Sequence, residues 1–156
     1  MASEGPHAIL PAVPTGVRSA RILIVEDEYL TAIDEQNRLA SMGYDLVALA
    51  DSSETALESV GRDCPDLILM NINLRGPLNG LQAAELIRLR CGAAIVFVSA
   101  YPAERVGVDP ADSFLRKPFT DLAFRRAVER ALAPGGGSSP RPDALPGLRS
   151  RNPVPA

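Results

Sequence analysis

Between residues 21 and 133 the chain alternates short apolar runs with longer stretches of mixed character. Ile22-Leu23-Ile24-Val25, Leu67-Ile68-Leu69-Met70 and Ala94-Ile95-Val96-Phe97-Val98 contain no polar member. A short, wholly apolar run bounded by turn formers is the pattern of a strand buried on both faces, as a parallel sheet requires. The first such strand is read from Arg21, and the central one over 66–70, after Pro65. Asp45 to Ala50 reads as a further strand, and Ser113-Phe114-Leu115 as a brief fifth.

The stretches between these runs have helical character. The first helix is expected from Tyr29 to Met42, with Leu30, Ile33 and Ala40 on its inner face and Asn37 interrupting the stripe. Gly43 ends it, because glycine tolerates the left-handed conformation of a helix stop. Asp51-Ser52-Ser53-Glu54 supplies N-cap residues for a second helix reaching Gly61. Asn79 caps a third, which runs to Arg90 with Ala83, Ala84 and Ile87 turned inward. Tyr101 to Pro110 leaves room for only a short fourth helix. The last spans Thr120 to Ala133, with Phe124, Ala127, Val128, Ala131 and Leu132 at core-facing spacing.

Five strand–helix alternations joined by right-handed crossovers make a doubly wound, five-stranded parallel sheet with helices on both faces. Residues 1–20, with Pro6, Pro11 and Pro14 and no regular period, read as a flexible arm before a domain over 21–133. From 134 to 156, Gly135-Gly136-Gly137-Ser138-Ser139 and repeated prolines read as a disordered tail.

Composition narrows the classes of function. A net charge of −3 without a basic run offers nothing to nucleic acid. No apolar run is long enough to span a membrane, and residues 1–20 lack a secretory signal, so a cytoplasmic protein is expected. Cys64 and Cys91 stand far from His7, the sole histidine, at no metal-ligand spacing. They read as two reduced, semi-buried thiols.

In an open parallel sheet the chemistry sits just beyond the carboxyl ends of the strands. Those ends carry Glu26-Asp27, Asn71, Ser99 and Lys117-Pro118. In order and spacing they resemble the receiver domain of bacterial two-component response regulators, over roughly residues 21 to 133. The resemblance implies a fold and a chemistry. Glu26 and Asp27 become the acids that hold Mg²⁺, Asp27 being the direct ligand, and Asn73 offers its backbone carbonyl. Ser99 and Lys117 grip phosphoryl oxygens, and Phe114 falls at the position of a switching aromatic. Asn71 stands where the family carries the aspartate that accepts a phosphoryl group from a histidine kinase.

An amide cannot replace that nucleophile, because its lone pair is delocalised and it carries no charge. The resemblance therefore implies a non-phosphorylatable, stand-alone receiver that acts by protein–protein binding and is not an enzyme. Its partners would be a histidine kinase, a phosphotransfer protein or another regulator. Losing one carboxylate leaves at most a weak Mg²⁺ site at Glu26, Asp27, Asn71 and Asn73. Each residue also has a plainer role. The acidic triplet can complement a helix dipole, Ser99 can be a turn hydroxyl, Lys117 a charge partner for Asp27, and Phe114 ordinary core.

Two departures from the family pattern bear on output. The loop from Arg75 to Gly80 is one residue longer than the commonest receiver loop. The span between Ser99 and Lys117 is shorter by about a helical turn, which questions the usual homodimer through the fourth helix. A second reading makes Asn71 an engineered block in a normally phosphorylated receiver. A third, of another class, is a nucleotide- or flavin-binding enzyme or a phosphohydrolase. The first strand–helix turn, Glu26-Asp27-Glu28-Tyr29-Leu30, counts against it, having neither a glycine for a pyrophosphate nor a second aspartate two places after Asp27.

Overall fold

The computed structural model describes residues 19–134. The arm expected over 1–20 and the tail expected over 134–156 lie outside that range, except for residues 19, 20 and 134. Strands β1 (Arg21–Val25), β2 (Asp45–Ala50), β3 (Leu67–Asn71), β4 (Ala94–Ser99) and β5 (Ser113–Arg116) form one sheet in the order β2-β1-β3-β4-β5. All four pairings are parallel. Helices α1 (Tyr29–Ser41), α2 (Ser53–Arg62), α3 (Gly80–Arg88), α4 (Ala103–Val106) and α5 (Asp121–Leu132) connect and follow the strands. This is the doubly wound sheet expected from the alternation. The chain reverses direction across the sheet between β1 and β3, which is where such folds open a crevice.

Period-two alternation assigns each strand residue to a layer. Ile22, Ile24, Leu67, Leu69, Val96, Val98 and Leu115 pack with α1 and α5 through Ala32, Leu39, Phe124, Val128 and Ala131. Their neighbours Leu23, Val25, Ile68, Met70, Ile95 and Phe97 pack on the other side against Ala56, Val60, Ala83, Ala84 and Ile87 of α2 and α3. The central strands need apolar side chains on both faces up to their carboxyl ends, where Asn71 and Ser99 stand, because both faces are covered.

Local signals set the helix ends. Ser52 and Asn79 each accept a backbone N–H three residues on, completing capping boxes with Thr55 and Gln82. Gly43, at φ +89°, follows the end of α1 in the left-handed conformation. The fourth helix is indeed short, four residues stopped by Gly107 at φ +85°.

The buried face of α1 corrects the sequence expectation. Ala32, Glu35 and Leu39 face the sheet, while Leu30 is 81% exposed and Ala40 is also exposed. Counting only apolar side chains skips the carboxyl at 35 and turns the inferred stripe toward solvent.

The cysteines are a second correction. Cys64 and Cys91 are joined in a disulfide with Cα atoms 5.8 Å apart; they are not two reduced thiols. The reason is strand register. Leu67 pairs with Ala94, and each cysteine lies three residues before one of this pair. The separation of 27 is thus the register offset itself, and parallel pairing brings both sulfurs to one rim of the sheet. Closing a loop of this length constrains the unfolded chain by about 3.5 kcal/mol. Cys64→Ser/Cys91→Ser is expected to lower the free energy of unfolding by about that amount. Urea denaturation of the two proteins checks this, and coincident curves would show that the bond adds nothing to stability.

Candidate functional site

Glu26, Asn71 and Lys117 each lie two residues beyond a strand residue packed toward α1 and α5, namely Ile24, Leu69 and Leu115. The same alternation therefore delivers three polar side chains to one side of the carboxyl rim. Backbone bonds hold the chain there: Glu26 N–H donates to Ala50 O at 2.9 Å, and Lys117 N–H to Ser99 O at 2.8 Å. Ile72 N–H donates to Val98 O and Gly80 N–H to Ile72 O, drawing the start of α3 onto the end of β3. Only glycine fits at 80, because a Cβ there would lie 2.2 Å from the Asn71 carbonyl oxygen.

Asn71 is the hub of the pocket. Its Nδ2 donates toward Glu26 Oε2 at 3.2 Å, Asp27 Oδ1 at 3.3 Å and the Asn73 carbonyl at 3.2 Å. Facing oxygens on three sides require the nitrogen, not Oδ1, to point inward. Lys117 Nζ donates to Glu26 Oε1 at 3.0 Å, so this lysine pairs with Glu26 and not with Asp27, the partner weighed from sequence. Asp27 Oδ2 instead accepts the Arg75 backbone N–H at 3.2 Å, with Arg75 Nε at 3.6 Å. Glu26 Oε2 also accepts Glu28 N–H at 3.1 Å, which orients the turn into α1.

Burial drives the electrostatics. The Glu26 carboxyl is pushed above the usual range by desolvation, while its bond to Lys117 pulls it back down. Deeper in α1, Glu35 is only 2% exposed, and its Oε2 lacks a hydrogen-bond partner. Desolvation raises it from the ordinary 4.5 to about 8, with Glu26 adding repulsion and Lys117 opposing it.

Of the residues chosen from sequence, Glu26, Asp27, Asn71, Asn73 and Lys117 converge. Ser99 is buried at the end of β4, where its Oγ accepts the Tyr101 N–H at 3.0 Å, a turn-hydroxyl arrangement. Phe114 is half-buried and packs against the α2/α3 side of the core. Sequence reasoning missed Arg75 and Glu35. The position of Glu35, between Ala32 and Leu39 at helical spacing, was a readable sign that a charged residue faced inward.

A doubly wound sheet with an acidic pocket at its crevice and a lysine just past the last strand defines a recognisable class of signalling domain. The chain belongs to the response regulator receiver domain family, whose model matches residues 22–129. It is similar to the transcriptional regulatory protein PdtaR of Mycobacterium tuberculosis, 32% identical over 72% of this chain and 57% of that protein. Similarity to the phyllosphere-induced regulator PhyR of Methylorubrum extorquens is 30% identity over 73% of this chain and 44% of that protein. The chain thus spans about half the length of these curated relatives. The solution structure of the Erythrobacter litoralis PhyR receiver domain superposes with a TM-score of 0.69 and 29% identity, over 79% of this chain and 95% of that one. Receivers are the response-regulator components of two-component phosphorelay signalling.

Proposed function

We propose that this receiver, over residues 21–133, signals without forming an acyl phosphate and acts by binding other proteins. Asn71 takes the phosphoacceptor position, Glu26 and Asp27 are the former metal acids, and Ser99 and Lys117 the former phosphoryl contacts. One observation carries the reading: the side chain at the centre of the pocket is an amide donating hydrogen to both carboxylates. A group already engaged as a donor, and without charge, offers no electron pair to a phosphorus centre. Lys117 then keeps only its ion pair with Glu26.

Protein binding has a surface to use. Tyr29 and Leu30, 72% and 81% exposed, open α1 beside a cleft of about 520 Å³ lined by Thr31, Arg38, Lys117 and Phe119. Large apolar side chains beside a cleft suit a partner's helix or loop. A histidine kinase, a phosphotransfer protein or another regulator fits this role, in the cytoplasm. Among the described residues no helix is long and apolar enough to cross a membrane.

The test is intact-mass measurement after incubation with acetyl phosphate and Mg²⁺. The unaltered protein is expected to show no added phosphoryl group; an adduct on Asn71 or a neighbouring aspartate would defeat the proposal.

A further inference from the structure

We infer that this pocket works without a divalent cation, because the chain fills the cation's place itself, with the hydrogen-bond donors of the Asn71 amide and the positive charges of Lys117 and Arg75. The inference rests on the reading of position 71 given above and extends it to how the site is held together and regulated.

The oxygens that would surround a metal are present but already engaged. Glu26 Oε2, Asp27 Oδ1 and the Asn73 carbonyl all face Asn71 Nδ2, at 3.2, 3.3 and 3.2 Å. The remaining carboxylate oxygens are taken as well, Glu26 Oε1 by Lys117 and Asp27 Oδ2 by Arg75. A magnesium ion needs oxygens at about 2.1 Å in an octahedron. To bind here it would have to turn the amide over, ending all three of its contacts.

Charge points the same way. Two carboxylates face one ammonium and one guanidinium, so the cluster is neutral where a dication would sit. Affinity for hard cations follows the number of charged ligands. Among the described residues, no three His, Cys, Asp or Glu side chains come together at a metal-binding distance. The pocket therefore does not fit the ion that the family resemblance implies. Its geometry is instead closed by hydrogen bonds that persist whatever the Mg²⁺ concentration.

This predicts that Mg²⁺ neither stabilises nor switches the protein. The probe is Mn²⁺ alone, titrated into the full chain without any phosphodonor and followed by the paramagnetic resonance of the free ion. The unaltered protein is expected to show no saturable site. Asn71→Asp, which restores a charged ligand, should show one, at least ~10-fold tighter than the limit set on the unaltered protein. Arg75→Ala made in the Asn71→Asp protein removes a cation from an 80% exposed side chain, so folding is not at stake, and should tighten Mn²⁺ binding a further ~3-fold. In parallel, thermal midpoints in Mg²⁺ and in EDTA should coincide, since a ligand that does not bind the native state cannot raise it. A stoichiometric Mn²⁺ site in the unaltered protein as tight as in Asn71→Asp would overturn the inference. So would a double variant that binds no tighter than Asn71→Asp, or a midpoint of the unaltered protein raised by Mg²⁺. Mn²⁺ binding without a phosphoryl adduct would sink this inference alone, whereas an adduct would sink the functional proposal.

Discussion

Asn71→Asp is expected to take up one phosphoryl group from acetyl phosphate in the presence of Mg²⁺, where the unaltered chain takes up none. The change replaces an uncharged donor with a nucleophilic oxygen at the point where Glu26, Asp27 and Lys117 converge. A third carboxylate also gives the pocket a net negative charge, which draws the cation in. Phosphoryl transfer asks the protein mainly for positioning and for positive charge around the equatorial oxygens. Mg²⁺ and Lys117 would then supply that charge. Asparagine and aspartate have nearly the same shape, so the backbone bonds from Ile72 to Val98 and from Gly80 to Ile72 should persist. Intact mass before and after hydrolysis of the adduct gives the stoichiometry. If a folded Asn71→Asp protein stays unmodified, the pocket has lost more than its nucleophile, and Arg75 over Asp27 becomes the first residue to remove.

Glu35→Leu should stabilise the fold by about 3 kcal/mol near pH 7, a large effect for a single exchange at a buried position. The parent carboxyl sits on the face of α1 shared with Ala32 and Leu39, almost wholly excluded from water and with one oxygen unbonded. Its pKa is raised in the native state, so the folded protein holds a proton there that the unfolded chain gives up. Below about pH 4.5 the group is neutral in both states and costs little. As pH rises from there through about 8, the unfolded state alone can ionise freely, and stability falls. Glu26, shifted in the same direction, adds to the slope. Urea denaturation at a mildly acidic and a mildly alkaline pH should show the parent losing stability with rising pH. Glu35→Gln, isosteric and unable to titrate, should remove most of that loss even if leucine packs poorly. A parent whose stability is flat or rises across this interval would show that Glu35 is solvated.

These two expectations mark what could be read before the fold was known. The strands were legible because burial on both faces keeps the middle of β1, β3 and β4 apolar, with polar residues only at their ends, and the caps at Ser52 and Asn79 announced their helices. The convergence of Glu26, Asn71 and Lys117 was legible because topology fixes where strand ends meet. Side-chain pairing within the pocket was not, since Glu26 and Asp27 are neighbours in sequence and spacing alone does not say which faces Lys117 and which faces Arg75. The face of α1 was misread for a different reason. A hydrophobic-stripe argument assumes that buried means apolar, and Glu35 breaks that assumption. The cysteines were misjudged because their spacing was compared with ligand motifs and not with the offset between paired strands.

The link between Cys64 and Cys91 has a topological consequence. It closes a covalent macrocycle that contains β3, Asn71, the loop through Arg75 and all of α3. A peptide-bond cut anywhere inside that circle, at the exposed Arg75 for instance, would open the ring but leave one continuous molecule. The segment that shapes the pocket is thus tethered from both sides, and losing its backbone continuity would not set either half free.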